Sequence, residues 1–272
     1  MDGSPKPERE LAVALVAWRG PSELTGEPVF VAVGNLDRSS QVSKLGDVVQ
    51  VTFMPDVPER PHVVARHRET RSVCGDCAFA PHMEGGCYVL LFRGPQAFHT
   101  TAFGRDPTPL EILGRVARRG VPIRFGMWGD PAAVPVSAYA FLLAWAKATG
   151  AGWLGYTHQW RTRPHLRAHL MASVDSPAER TEAKALGWRT YRSRWPWEPV
   201  EQGEFVCPAS FEGRHRSTCA KCLQCSGTEG RGVKDPTIIR HDGKSLHEMV
   251  RVSEDPEDTR AEAARDYLAR RK

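Results

Sequence analysis

The sequence predicts an α/β protein: a partial or complete β/α barrel with a strand-rich N-terminal lead-in and a cysteine-rich metal-binding C-terminal segment. Two observations lead to this fold class. Strand-like apolar runs alternate with capped helices from about residue 88, and all seven cysteines lie in two blocks. Repeated strand-helix units require parallel strands with right-handed crossovers, which favours a barrel and leaves an open doubly wound sheet as the alternative.

Residues 1–70 are expected to be the lead-in. Residues 1–10 are polar, and the apolar stretch 11–18 is too short to span a bilayer. Strands are expected at 11–18, 28–33 and 48–53, where β-branched and aromatic residues concentrate. A basic connection over 60–71 then leads into the first cysteines, and no helix is evident in this part of the chain.

Residues 71–200 are expected to be the β/α core. After a strand at 88–92, Thr108-Pro109-Leu110-Glu111 has the pattern of a helix start, and Gly120 ends that helix. Ser176-Pro177-Ala178-Glu179 is a second capping box, and Gly187 ends its helix. The other expected elements are strands at 123–128, 153–157, 166–174 and 188–192 and a helix at 136–149.

Residues 201–272 are expected to depend on metal. The part from 207 to 233 has four cysteines, several glycines and few large apolar residues, so it can build little core. Bound metal can replace that core, since structural zinc supplies about 10–16 kcal/mol of apparent folding free energy in small peptides. Residues 255–272 are charged and contain alanine, which predicts a terminal helix.

The composition indicates a soluble globular protein. Hydrophobic residues make up 41% of the chain and charged residues 25%, which argues against wholesale disorder. With no membrane or signal segment evident, we expect a cytoplasmic protein without a membrane partner. A reducing compartment disfavours disulfides, and seven cysteines cannot all pair, so metal ligation explains the two blocks better.

The first block consists of Cys74, Cys77 and Cys87. Three thiolates can hold a four-iron cluster and leave one iron open, so a 4Fe-4S cluster is the leading interpretation. Gly85-Gly86 would let the backbone approach the cluster. His82 would instead complete a zinc site as a fourth ligand.

The second block consists of Cys207, Cys219, Cys222 and Cys225. Two Cys-x2-Cys steps share Cys222, which is a more specific metal pattern than a lone pair. Four cysteines suit either a second 4Fe-4S cluster or zinc, and the sequence does not decide between them. His215 or His241 could replace Cys207 as the fourth ligand.

Polar residues follow three of the expected strands. In a β/α barrel the carboxyl ends of the strands form the active face. Gly129-Asp130 is therefore expected to bind a cofactor, while His158 and Asp175 are candidate catalytic residues. A turn capped by Asp130 and a helix capped by Asp175 are the structural alternatives.

A basic segment is the candidate nucleic-acid contact. Residues 158–197 contain eight Lys and Arg and three Asp and Glu, a net charge of +5 that equals the excess of the whole chain. Arg189, Arg192, Arg194 and Trp195 stand among further aromatic residues, a mixture suited to phosphate contact and base stacking. An amphipathic strand followed by a loop over the core is the structural alternative.

Several of these motifs together resemble an uncharacterised family of bacteriophage proteins, over about residues 70–243. The motifs are the two cysteine blocks, Gly129-Asp130-Pro131, Thr157-His158-Gln159-Trp160 and the unit from Ser173 to Arg189. That family is in turn distantly similar to radical SAM enzymes, which carry a cysteine triad before a β/α partial barrel. The triad spacing differs, because radical SAM enzymes have Cys-x3-Cys-x2-Cys and this chain has Cys-x2-Cys-x9-Cys.

The resemblance implies a cluster at the first block whose open iron binds SAM, with Asp130 meeting the SAM amine. An adenosyl radical would then abstract hydrogen from a substrate, for which the enzyme needs an electron donor. A phage nucleotide or DNA base is the expected substrate, in the cytoplasm of a bacterial host. The alternatives are a zinc-stabilised nucleic-acid-binding protein without activity, and a zinc hydrolase with His82 or His158 near the metal.

Overall fold

The computed structural model describes residues 13–39, 42–240 and 258–270. It contains ten strands: β1 Ala14–Pro21, β2 Pro28–Gly34, β3 Val49–Pro55, β4 Ile123–Phe125, β5 Trp153–Leu154, β6 Tyr156–Thr157, β7 Met171–Val174, β8 Thr190–Arg194, β9 Glu204–Val206 and β10 Asp235–Ile239. The α-helices are α1 Pro61–Arg66, α2 Arg71–Cys74, α3 Gly94–Ala102, α4 Pro109–Arg119, α5 Ala140–Thr149, α6 Pro177–Ala185, α7 Cys219–Cys222 and α8 Thr259–Arg270. Short 3-10 helices lie at Pro81–Met83, Pro131–Ala133, Val136–Ala138 and Pro164–Ala168.

The first sheet has the order β1-β2-β3-β4-β5. The first three strands are antiparallel neighbours, and β3, β4 and β5 are parallel. All seven residues of β3 are buried, as expected for a strand covered on both faces. The strands of the lead-in are therefore part of the same sheet as the first β/α unit.

The second sheet has the order β6-β7-β8-β10-β9, and every neighbouring pair is parallel. Helix α6 crosses from β7 to β8. The strands β9 and β10 bracket the second cysteine block, and neither was expected from the sequence. The molecule is thus a mixed α/β protein with two sheets rich in parallel strands.

Gly155 is the single residue between the two sheets. Strand β5 ends at Leu154 in the first sheet, and β6 begins at Tyr156 in the second. A Cβ at this position would lie 2.9 Å from Leu170 Cδ2 and 3.0 Å from Phe125 Cβ. A larger residue would therefore push the two sheets apart at their junction.

The expected helix ends are mostly confirmed. Ser176 caps α6 by accepting a hydrogen bond from the backbone N–H of Glu179, and Glu179 accepts one from the N–H of Asp175. Gly120 and Gly150 end α4 and α5 in the left-handed conformation. Thr108 is an exception, because its side chain makes no capping hydrogen bond.

Other expectations were wrong. Residues 88–92 form no strand; this irregular segment exposes 51% of Leu90 and 59% of Phe92. The expected strand at 166–174 is a 3-10 helix followed by the shorter β7, and the lead-in segment ends in the short helices α1 and α2. The polar residues 1–10 and the start of the terminal helix at 255 lie outside the described residues. None of the described helices is long and apolar enough to cross a membrane.

Candidate functional site between the two cysteine blocks

The carboxyl ends of the parallel strands carry the candidate residues. Asp130 follows β4, His158 follows β6, and Asp175 follows β7. Trp195 and Arg240 follow β8 and β10 in the same way. Because carboxyl ends of parallel strands share one edge, the expected gathering of polar groups at strand ends is present.

The first cysteine block is held against this edge by backbone contacts. Cys74 is the last residue of the one-turn helix α2. The backbone N–H of Asp130 donates to the carbonyl of Val73 at 2.6 Å, and Gln159 Nε2 donates to the carbonyl of Cys74 at 3.3 Å. The turns after β4 and β6 therefore place the block.

One cavity, here called the first cavity, brings the expected residues together. It has a volume of about 80 Å³ and is lined by all three cysteines of the first block, Gly129, Asp130 and His158, among others. Cys74 lies in the core, whereas Cys77 and Cys87 are half-buried. Burial, Cys77 and Cys87 together raise the pKa of the Cys74 thiol well above its usual value, so the three sulfurs are close enough to interact.

Asp130 organises the turn that carries it. Its Oδ1 accepts from the N–H of Ala132 at 2.9 Å, and its Oδ2 accepts from the N–H of His158 at 2.7 Å. Burial raises the pKa of this carboxyl, and His158 and these hydrogen bonds act in the opposite direction. The structural alternative, a turn capped by Asp130, is therefore present.

Gly129 is required for the same turn. It has φ +75°, and a Cβ there would lie 2.3 Å from the carbonyl oxygen of Phe53. No other residue fits without moving strand β3 or the turn.

His158 lies beside the first block. Burial alone would lower its pKa, but Cys77, Asp175 and Asp130 raise the pKa to about 10. Its ring meets Phe79 edge-on with the centroids 6.2 Å apart. Its Nε2 is buried and has no hydrogen-bond partner among the described residues, which leaves that atom available to a ligand of the cavity.

Asp175 contacts its neighbours through its backbone. Its backbone N–H joins the capping box of α6, and its carbonyl accepts from Arg240 at 3.0 Å. It reaches the site through its charge, which raises the pKa of His158. These contacts fit a positioning role for Asp175 better than a catalytic one.

His82, the expected fourth ligand of a zinc site at the first block, is hydrogen-bonded to groups other than the cysteines. Its Nδ1 lies 2.8 Å from Thr70 Oγ1, and its Nε2 lies 2.8 Å from the carbonyl oxygen of Gly75. Both ring nitrogens are therefore used. In the second block His215 Nδ1 contacts the carbonyl of Ala209 at 3.1 Å, and His241 lies outside the described residues.

The second cysteine block is fastened to both sheets. Cys207 follows β9, and its N–H donates to the carbonyl of Thr237 in β10 at 2.9 Å. The N–H of Cys219 donates to the carbonyl of Lys44 at 3.0 Å, and the N–H of Gly155 donates to the carbonyl of Cys225 at 2.8 Å. The block thus touches the lead-in, the sheet junction and the last strands.

Arg189 is a scaffold for the second block and not a nucleic-acid contact. It is 9% exposed, and its guanidinium donates to the carbonyls of Gln224, Ser226 and Lys234 at 2.6–2.9 Å. Asp235 lies 3.7 Å away as its nearest carboxylate. The arginine therefore fixes the backbone on both sides of Cys225.

Arg192 and Arg194 are also interior residues, so their expected contact with nucleic acid is wrong. Arg192 is fully buried and forms ion pairs with Glu204 at 2.7 Å and Glu198 at 3.1 Å. Arg194 is 8% exposed and donates to the carbonyl of Glu198. Trp195 is half-buried and stacks on Trp197 with the centroids 5.0 Å apart.

A second cavity, also about 80 Å³, lies beside the second block. Cys207, Cys219 and Cys225 line it, together with Arg124 and residues of the second sheet. The two cavities share Phe79, Tyr88, Tyr156 and His158 as lining residues. The cysteine blocks therefore face a common region from opposite sides.

Aromatic residues and Arg124 in this region were missed from the sequence. Tyr156 stacks on Tyr191 with the centroids 4.7 Å apart and an interplanar angle of 14°. Tyr191 and Ser193 both line the second cavity, whereas Arg192 between them points elsewhere. The period-two alternation in β8 was the available signal for this difference.

The seven cysteines are free thiols and suit thiophilic metals by their chemistry. Burial first, then Cys207, Cys219 and Cys222, raise the pKa of Cys225 well above its usual value. Among the described residues no three His, Cys, Asp or Glu side chains converge enough to form a ready-made ligand group. The donor sets fit a thiolate-bound centre, and the thiols are gathered without being closed around one.

Comparisons with models of known protein families, with curated protein sequences and with solved structures gave no significant match.

Proposed function

We propose that this protein is an iron-sulfur enzyme of the radical SAM type, built on a partial β/α barrel that the two sheets form together. The observation that carries the proposal is the first cavity. Three cysteines distant in sequence from Asp130 and His158 line it together with them, at the carboxyl edge of parallel strands. Cys74, Cys77 and Cys87 would hold the cluster.

With SAM bound, a reduced four-iron cluster supplies the one-electron chemistry that removes a hydrogen atom from a substrate. The chain itself positions the reactants. The turn at Gly129 brings the backbone close to the cavity, and Asp130 holds His158 at the cavity wall. Phe79 and Tyr156 line both cavities and would place aromatic rings beside a bound substrate.

The second block would hold a further cluster or zinc through Cys207, Cys219, Cys222 and Cys225. Its fastening by Arg189 and by both sheets supports a structural role. A nucleotide or DNA base remains the substrate that we propose, together with a cytoplasmic electron donor. The zinc-stabilised nucleic-acid-binding alternative loses three of its four contact residues to the interior.

Anaerobic purification tests this function. We expect an absorption band at roughly 400 nm and about four iron and four sulfide ions per cluster. Cys77→Ser is expected to remove one cluster, and Cys222→Ser the metal of the other block. His165→Ala, a change of an exposed histidine, serves as the control and should leave the metal content unchanged. Zinc in both blocks, or protein without acid-labile sulfide, contradicts the proposal.

A further inference from the structure

Among the described residues, the Lys and Arg side chains that line the second cavity have no carboxylate beside them in its lining. Lys44, Arg124 and Arg240 line it, and no aspartate or glutamate does so among the described residues. Hydroxyl groups also line it, from Tyr88, Tyr156, Tyr191 and three serines. Apart from the three cysteines of the second block, the lining has cations and hydroxyl groups but no carboxylate, which favours a negatively charged occupant.

Arg124 is the most important of these three cations. It lies on β4 in the middle of the first sheet and is half-buried. It donates to Gln50 Oε1 at 3.2 Å and hydrogen-bonds to Tyr156, both neutral groups. No carboxylate of the described part of the chain forms an ion pair with it, in contrast to Arg192 with its two glutamates.

This difference has an energetic meaning. A guanidinium carries five N–H donors and stays charged at any relevant pH. Removing it from water without a neighbouring anion is unfavourable. A half-buried arginine with neutral partners that lines a cavity is therefore suited to receive an anion.

We propose that the second cavity binds the anionic group of a small molecule, a phosphate or a carboxylate, which Arg124 receives. The stacked pair Tyr156 and Tyr191 adds an aromatic wall for a planar ring attached to that group. A volume of about 80 Å³ accommodates the anionic group, and the adjoining first cavity continues past the shared residues Phe79 and His158.

The inference deepens the proposed function, since the ligand would be its substrate, but anion binding at Arg124 is expected whether the second block holds an iron-sulfur cluster or zinc. The competing explanation is that Arg124 only balances the thiolates of the second block. Arg124 and Lys44 both lower the pKa of Cys219, although burial outweighs them. The experiment therefore has to separate anion binding from metal retention.

The test uses the full-length protein as purified, with its metal content determined beforehand. Calorimetry measures binding of inorganic phosphate, benzoate, a nucleoside monophosphate and the corresponding uncharged nucleoside. We expect charged probes to bind at least about tenfold more tightly than the nucleoside, because a charge-assisted hydrogen bond is stronger than a neutral one. Whether phosphate or benzoate binds better assigns the anionic group.

Arg124→Gln is expected to weaken the charged probes by about tenfold or more and to leave the nucleoside unchanged. Arg124→Lys retains the charge and should recover part of the affinity. Arg161→Gln is the matched control, since Arg161 is exposed and pairs with Glu179 and Glu182 on the outer surface. Circular dichroism and thermal melting verify that each variant is folded.

The outcomes are distinguishable. Anion binding that depends on Arg124 in a protein without iron supports this inference and contradicts the proposed function. If the protein holds iron-sulfur clusters but shows no preference for charged probes, the result supports the proposed function and contradicts this inference. If Arg124→Gln lowers only the metal content of the second block, or if no probe binds to the wild-type protein, the anion site is disproved.

Discussion

The two cysteine blocks differ in how the chain holds them. The backbone around the first block is bonded to the turns after β4 and β6 and to Ser22 and His82, and the block opens onto a cavity with Asp130 and His158. The second is held by Arg189, by Gly155 and by the strands on either side of it. A cysteine block that opens onto buried polar groups suits a reactive site, whereas one bonded mainly to the scaffold suits a structural site.

Replacing one cysteine in each block should give the largest difference in stability between the two blocks. Cys222→Ser is expected to lower the free energy of unfolding by about 5 kcal/mol, because the proposed metal would replace a core in the segment from 207 to 233. Cys77→Ser should cost much less. Urea unfolding of anaerobic protein measures both, and equal losses would mean that the blocks have the same role.

The scaffold of the second block can be tested without touching a thiol. Arg189→Met leaves three carbonyls without their donor, whereas Asp235 keeps Lys184 at 2.8 Å, and we expect a loss of about 3 kcal/mol in unfolding free energy. Metal should be lost from the second block and kept by the first. Arg161→Met is the exposed control, and metal loss from both blocks would contradict the separate roles.

Adding one methyl group at Gly129, in the turn beside the first block, should lower the stability of the protein. Gly129→Ala places a Cβ 2.3 Å from the carbonyl of Phe53, and we expect a loss of about 3 kcal/mol. Gly187→Ala is matched to it, since Gly187 has φ +81° and no atom within 4 Å of its Cβ position. That variant should cost only about 1 kcal/mol, from backbone strain alone. Equal melting temperatures for the two variants would show that the close contact is unimportant.

The smallest effect concerns pH at the edge of the second block. Burial and then Lys147 lower the pKa of His169, with Glu229 acting in the opposite direction. The unfolded chain therefore binds the proton more readily, so stability is complete above the ordinary histidine pKa of about 6.5 and falls as the pH decreases below it. We expect His169→Gln to remove this part of the pH dependence, measured as unfolding free energy at about pH 7.5 and about pH 5.5. If His169→Gln has the same pH profile of stability as the wild-type protein, this prediction is wrong.

Local signals were enough for part of this fold. The capping box at Ser176 and the glycines after α4 and α5 act within a few residues, so the sequence predicts them well. Strand β10 was missed because it begins with Asp235-Pro236, a pair that usually interrupts a strand. The segment 88–92 was mistaken for a strand because apolar composition alone does not supply a neighbour to pair with.

Charge was the least reliable signal for the site. Arg189, Arg192 and Arg194 look like an exposed basic surface because their partners lie elsewhere in the sequence. Glu204 comes from β9, and the carbonyls that Arg189 binds belong to residues 224–234. Conversely, the sequence does not predict Arg124 as a site residue, because a single arginine in a short strand has no local pattern. Only the pairing of distant segments separates these cases.

The position of Gly155 has a mechanical consequence. Its N–H binds the carbonyl of Cys225, and its own carbonyl accepts from the N–H of Met171, so one peptide links the second block to the bend between the sheets. A substitution that displaces the Cys225 loop would therefore act directly on the junction between the two sheets. Arg124 on one sheet and Tyr191 on the other line the same cavity beside this junction. We therefore expect the width of that cavity to depend on the order of the second block.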